Sequence, residues 1–163
     1  MELLHWCQWL EHSSLATAIS ESVWLFPLIE GTHILALPIS VGMIVMFDLR
    51  LLGLGFKSGP ASRMMRDILR WSKFGFAVMF ATGVVLFMTQ AGKAYDNVFF
   101  RTKLVFLLIL GLNAVVYQFV FFPRMAEWES DKAAPLGARV CGALSLVVWI
   151  GVIVCGRTMA YQF

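Results

Sequence analysis

Charge is scarce in this chain, and that scarcity decides which class of protein it belongs to. Only 14% of its 163 residues are charged, 60% are hydrophobic, and the net charge is +3. Ordinary soluble domains carry roughly a quarter charged residues. No lysine or arginine precedes Arg50, and the later ones fall mostly between the apolar runs. We therefore exclude a soluble domain and expect no nucleic-acid partner.

Several motifs of soluble enzymes are also absent. The three cysteines, Cys7, Cys141 and Cys155, form no C-x-x-C pair, so neither a disulfide framework nor a zinc site is expected. There is no Gly-rich phosphate loop and no Ser/His/Asp order of a catalytic triad. The first 15 residues lack lysine, arginine and a long apolar core, so we do not expect a signal peptide. Nothing here predicts an enzyme that acts alone.

Long apolar runs are the dominant feature of what is present. Several reach the roughly 20 residues that a helix needs to cross the hydrocarbon core of a bilayer. They predict an all-α integral membrane four-helix bundle, formed by a single transmembrane domain over 1–163 and surrounded by lipid. The predicted spans lie at about 23–47, 71–89, 102–122 and 140–159.

The N-terminal segment at about 2–12 has a different pattern. Leu3, Trp6, Cys7 and Leu10 recur at helical spacing, and two tryptophans in so short a segment are typical of a membrane surface. We predict an amphipathic interfacial helix here. Most lysines and arginines lie in the loops after the first and third spans, which places those loops in the cytoplasm by the positive-inside rule. Both termini are then periplasmic, in a bacterial inner membrane.

The first predicted span contains only two ionisable side chains, Glu30 and His33. Their spacing places them one turn apart on one helical face. Ionisable groups at membrane depth are energetically costly and therefore mark a functional site by default. At 1.5 Å per residue, His33 lies near the middle of the bilayer. Among residues at similar depth on the other spans, Asn113 is the one strongly polar side chain.

These positions favour a b-type haem, which four-helix bundles hold through an axial histidine. In this interpretation His33 is the iron ligand, and either Met79 completes the pair or the iron stays five-coordinate. Glu30 or a backbone carbonyl orients the imidazole. The haem propionates need cations near an interface. The full set of candidate binding residues is His33, Met79, Glu30, Asn113, Arg101, Lys103 and Arg157.

Other interpretations of the same residues remain open. A structural network of His33 with Asn113 or Glu30 fits the same residues equally well. The nine methionines suit Cu(I), although they form no outward-facing cluster. A di-iron site needs carboxylates that no other span contains. Asp48 and Arg50 lie where the first span leaves the membrane, and we interpret them as an ion pair that anchors this end in the cytoplasm.

Several short motifs recur along the chain at positions that match a known pattern. They are Ser22-Val23-Trp24-Leu25-Phe26-Pro27, Glu30-Gly31-Thr32-His33, Gly42, Asp48-Leu49-Arg50-Leu51-Leu52-Gly53, Tyr95, Asn97, Phe100, Lys103, Leu112-Asn113 and Gly156-Arg157. Together they resemble a small four-span bacterial membrane family known only as a domain of unknown function, which is distantly similar to the copper-resistance D type and to small b-type cytochromes. The resemblance covers nearly the whole chain and implies a four-span bundle with His33 as the key residue, but it supplies no activity. A further histidine that such relatives often carry is replaced here by Tyr117 or Gln118, which argues against a bis-histidine haem.

The sequence thus predicts a membrane electron-transfer protein with one haem b. It would pass electrons between quinol or a periplasmic donor and a partner protein, as a homo-oligomer or as a subunit of a membrane complex. The alternative is a non-catalytic accessory subunit in which His33 is structural. Transport of copper or a small solute is a weaker third hypothesis.

Overall fold

The computed structural model describes residues 2–55, 61–128 and 133–161, and within these ranges every regular element is helical. The prediction of an all-α helical bundle is therefore confirmed. The elements are α1 (Glu2–Glu11), α2 (Ser14–Ser20), α3 (Leu25–Leu37), a π-helical turn (Pro38–Gly42), α4 (Met43–Leu51), α5 (Ala61–Thr89), α6 (Ala91–Asp96), α7 (Val98–Val116), a second π-helical turn (Tyr117–Phe121), a 3-10 segment (Phe122–Glu127) and α8 (Leu136–Ala160).

Four helical units are long and apolar enough to cross a membrane, which makes this a multi-pass membrane protein. They are Leu25–Leu51, Ala61–Thr89, Val98–Glu127 and Leu136–Met159. The second unit begins well before the predicted start at about 71, because its first turns are amphipathic. There Arg63 and Arg66 are exposed while Met65 and Ile68 are buried, a pattern that an apolar run does not detect.

The N-terminal helix α1 lies against the short helix α6. A carboxylate oxygen of Glu11 accepts a hydrogen bond from the backbone N–H of Gly92 at 2.8 Å. Trp6 and Trp9 remain exposed, as expected of an aromatic belt at a membrane surface. The helical repeat of apolar residues in α1 stops before Ser13, because Ser13 caps α2. Its side chain accepts a hydrogen bond from the N–H of Ala16.

Pro38 interrupts the hydrogen bonding of the first span. Proline has no N–H, so the backbone around it widens into a π-helical turn. The buried Ser40 hydroxyl donates to the carbonyl of Ala36 at 2.8 Å. The Ser72 hydroxyl on α5 donates to the carbonyl of Ser40 at 3.1 Å. A neighbouring helix thus satisfies backbone groups that lipid cannot.

This hydrogen bond requires α5 to approach the π-helical turn closely, and Gly75 permits the approach. A Cβ atom at Gly75 would lie 2.9 Å from both the Cβ and the backbone nitrogen of Ser40. Small residues at such contacts are typical of membrane helix packing. Gly151 of α8 likewise permits a close approach, here of the Phe106 ring on α7.

Two buried clusters occupy the centre of the bundle. One includes Phe47, Leu51, Met65 and Tyr117, and the other includes Trp149 with its neighbours on α7 and α8. The first cluster lies beside the loop that follows α4. That loop starts with a glycine C-cap in which the N–H groups of Gly53 and Leu54 donate to the carbonyls of Arg50 and Leu49.

The substitution Gly75→Ala tests whether the contact between α5 and the π-helical turn stabilises the bundle. The added methyl group would collide with the backbone of Ser40. We therefore expect the free energy of unfolding in detergent to fall by about 1–3 kcal/mol. The matched control is Gly31→Ala on α3, where an added Cβ meets no atom within 4 Å. That variant should be as stable as the wild type or slightly more stable, and equal stability of both variants would contradict the proposed contact.

Candidate functional site

His33 lies in α3 and faces α5. Its Nδ1 atom is 2.9 Å from the hydroxyl oxygen of Thr82. The Thr82 hydroxyl in turn donates to the backbone carbonyl of Val78 at 2.7 Å, one turn earlier in α5. The imidazole is therefore held from the second span, about two helical turns from the contact between Gly75 and Ser40.

The hydrogen bonds of Thr82 assign the tautomer of His33. A hydroxyl has one hydrogen, and in Thr82 that hydrogen is donated to the Val78 carbonyl. Thr82 then accepts from the imidazole, and we infer that Nδ1 carries the proton. In the part of the chain that the structure describes, no side chain forms a hydrogen bond with Nε2. The lone pair of Nε2 is available to a ligand.

The space around the imidazole combines small residues with one cation. A Cβ atom at Gly83 would lie 3.2 Å from Cε1 of His33, so the ring packs directly on the backbone of α5. From α7, Lys103 is close enough to interact electrostatically with His33. Its Nζ atom would be 3.6 Å from a Cβ atom at Gly156 of α8, and this glycine leaves room for the ammonium group. His33 and Lys103 thus occupy the same region of the bundle.

The other candidates for this site lie at some distance from it or have other partners. The sulfur of Met79 is 2.8 Å from the Ser40 hydroxyl, although the backbone of Met79 is close to His33. Glu30 is exposed on the surface of α3. The Asn113 amide donates to the carbonyl of Cys141 at 3.0 Å. Two arginines are at the surface: Arg101 contacts the carbonyl of Asp96, and Arg157 lies over the ring of Tyr161.

The donor atoms around His33 are those of a single imidazole. No group of three or more His, Cys, Asp or Glu side chains that could hold a metal ion occurs among the described residues. This donor set suits a prosthetic group that brings most of its own ligands, such as a haem, better than it suits a bare copper or iron ion.

A second polar cluster lies nearer the opposite ends of the spans. Asp48 is only 5% exposed, and the Ser145 hydroxyl of α8 donates to its carboxyl group. The carboxyl oxygen Oδ2 of Asp48 and the hydroxyl of Tyr117 are both buried, and neither has a hydrogen-bond partner among the described residues. Both residues line a cavity of about 400 Å³, whose wall also includes Asn113 and Trp149.

The sequence interpretation did not predict this cluster, because it placed Asp48 at the exit of the first span as a surface anchor. In the structure α4 continues to Leu51, and Asp48 is enclosed by α8. A signal was present in the run MIVMFDLRLL, in which Asp48 is flanked by apolar residues on both sides. Tyr117 gave no such signal, since the sequence does not distinguish a buried tyrosine hydroxyl from an exposed one.

Comparisons with known proteins place the chain in a family but give it no activity. The model of a family of unknown function (DUF6644) matches residues 8–162. Neither a curated protein nor a solved structure matches the chain significantly.

The tautomer of His33 can be measured by ¹⁵N NMR of histidine-labelled protein in detergent. We expect His33 to show a protonated Nδ1 and a bare Nε2. Thr82→Val keeps the shape of the side chain but removes the hydroxyl, so this preference should be lost, whereas Thr82→Ser should retain it. The chain has three histidines, and the spectrum of His33→Ala assigns the signal.

The matched control is Thr158→Val, because the Thr158 hydroxyl bonds only to its own helix at the carbonyl of Val154. It should leave the His33 spectrum unchanged. A wild-type spectrum with the proton on Nε2 would contradict the assignment.

Proposed function

The chain belongs to DUF6644, a family of unknown function, and we propose that it is an electron-transfer protein of the bacterial inner membrane. In this proposal it binds one b-type haem through Nε2 of His33. The protein would carry electrons between quinol or a periplasmic donor and a partner protein. It is not proposed to be an enzyme on its own.

One observation supports this proposal above the others: Nδ1 of His33 is held by Thr82, and no side chain among the described residues bonds to its Nε2. Imidazoles that bind metals generally donate their other N–H to a fixed acceptor, which sets the tautomer and the orientation of the ring. Thr82 supplies that acceptor here, at 2.9 Å from Nδ1. A merely structural histidine in a membrane span would gain by pairing both nitrogens.

Lys103 supports the same proposal because haem carries two propionate carboxylates. The Lys103 side chain is partly buried, interacts electrostatically with His33 and packs against Gly156. An ammonium group inside a membrane bundle is costly unless it is paired. In the described residues no acidic partner within salt-bridge distance is found for it. A propionate in this region would provide the missing negative charge.

The residues fit a haem with one protein ligand on iron. His33 would hold it, Thr82 would orient the ring, and Gly83 gives the imidazole room against the backbone of α5. Met79 remains a candidate for the second position only if its sulfur leaves the Ser40 hydroxyl. When bound, haem supplies a centre that accepts and releases one electron at a time. The chain supplies the low-polarity surroundings and the fixed imidazole.

The spectrum of detergent-purified protein, oxidised and then reduced with dithionite, tests this function. After expression with ample haem we expect a Soret band and reduced α and β bands, and His33→Ala should lose them. Lys103→Met should retain the bands but bind haem several-fold more weakly, because one propionate loses its cation. The measurement is absorbance per mole of protein during haem titration.

The matched control is His12→Ala, an exposed histidine whose Nδ1 bonds to the carbonyl of Gln8 in its own helix. This variant should keep full absorbance. Wild-type protein that stays colourless at saturating haem, and that co-purifies with a stoichiometric membrane partner, would replace this proposal with the role of an accessory subunit.

The proposal also includes an orientation with both termini in the periplasm. Alkaline phosphatase, which is active only outside the cytoplasm, should be active when fused after Phe163. The same enzyme fused after Ala134, in the loop before α8, should be inactive, since the basic loops stay inside. The reverse pattern of activities would overturn the orientation without affecting the haem site.

A further inference from the structure

The cavity beside α4 is a second site, separate from the surroundings of His33. Its volume of about 400 Å³ is in the range of small-molecule binding sites. All four spans contribute to its wall, through residues such as Asp48, Ser72, Tyr117 and Ser145. Most of the remaining wall is apolar and aromatic, including the stacked rings of Phe76 and Trp149.

Two polar atoms in this wall have no partner in the part of the chain that the structure describes. Asp48 is 5% exposed and Tyr117 is 6% exposed, yet Oδ2 of the first and the hydroxyl of the second form no hydrogen bond. Buried polar groups are almost always paired, because an unpaired one costs about 1–3 kcal/mol. Two in one cavity, in residues close enough to interact electrostatically, indicate a ligand that bonds to both.

The chemistry of the wall limits what this ligand can be. One carboxyl group cannot provide the six to eight oxygen ligands that Ca²⁺ needs, and the described residues hold no group of three metal-binding side chains. An anion would be repelled by Asp48. Lys73 also lines the wall but is largely exposed, so it does not neutralise that buried carboxyl. A neutral molecule with hydrogen-bonding groups on an apolar body fits both the largely apolar wall and the two free polar atoms.

We propose that this cavity binds a quinol or quinone. Such a molecule is neutral and lipid-soluble, so it reaches a cavity that lies within the spans. Its flat ring matches the aromatic wall near Phe76 and Trp149. Its ring hydroxyl or carbonyl groups match the two free atoms, since Oδ2 of Asp48 accepts a hydrogen bond and the Tyr117 hydroxyl donates or accepts one.

This inference rests on the proposed function only for the choice of quinol as the ligand class. The cavity and its unpaired atoms stand independently of any haem at His33. The two proposals can therefore fail separately, and the experiment is designed to show which one does.

The test is the titration of detergent-purified protein with decylubiquinone, followed through tryptophan fluorescence. Trp149 lines the cavity, so a bound quinone ring should quench its emission in a saturable manner. Trp149→Phe should remove that saturable component and leave the quenching of the exposed tryptophans. Tyr117→Phe and Asp48→Asn each delete one hydrogen-bonding function with little change in size, and each should weaken binding about 5- to 10-fold.

The matched controls are Tyr95→Phe and Asp96→Asn, the same substitutions at exposed positions near the other end of the bundle. They should bind decylubiquinone like the wild type. Decan-1-ol, which has a hydroxyl and an apolar chain but no ring, should not displace the quinone at equal concentration. All variants should elute from size-exclusion chromatography like the wild type.

Three results would overturn the inference. They are the absence of saturable quenching in the wild type, affinities that are unchanged in both Tyr117→Phe and Asp48→Asn, and equal displacement by decan-1-ol. Colourless wild-type protein that still binds decylubiquinone through Asp48 and Tyr117 would support this inference and refute the haem proposal. A protein that binds haem but shows no saturable quenching would refute this inference and support the haem proposal.

Discussion

The packing of the bundle depends on how backbone groups near Pro38 are satisfied inside the membrane. Lipid offers no hydrogen bonds, so carbonyls in the irregular turn after Pro38 gain from a partner within the protein. Here the Ser72 hydroxyl bonds to the carbonyl of Ser40, and Gly75 lets α5 come close enough to do so. This contact fixes α5 against the first span and thereby sets the position of every group that the two helices share.

Two polar centres lie on either side of that contact. His33 is held by Thr82 of α5, whereas Asp48 is held by Ser145 of α8. The π-helical turn between them contains one residue more per turn than an α-helix, so the side chains beyond it are rotated relative to those before it. One continuous span can for this reason present its histidine to one neighbour and its carboxyl group to another. The proposed haem site and the proposed quinone site are thus parts of the same bundle but have separate walls.

The sequence alone was sufficient to predict the helical class, the membrane location, the family and the surface helix. These features follow from composition and from periodic patterns along a single helix. The partners of individual side chains did not follow, because they depend on how helices rotate against each other. Asn113 illustrates the difference: its depth along α7 suggested a contact with His33, but in the structure its amide bonds to Cys141 of α8. The depth of a residue in the membrane can be estimated by counting along its helix. Which neighbouring helix the residue faces depends on packing at positions such as Gly75.

The distribution of the cavity wall over all four spans has a consequence for biosynthesis. Helices enter the membrane in chain order, and α8, which carries the hydrogen-bond donor for Asp48, enters last. Until then the Asp48 carboxyl group lacks the Ser145 hydroxyl, and a carboxyl group within a membrane span is costly when it has no partner. The first span therefore gains this hydrogen bond only when the last one arrives. A ribosome that stalls before Leu136 leaves a nascent chain with an exposed acidic group in the bilayer, which is a feature that membrane proteases can recognise.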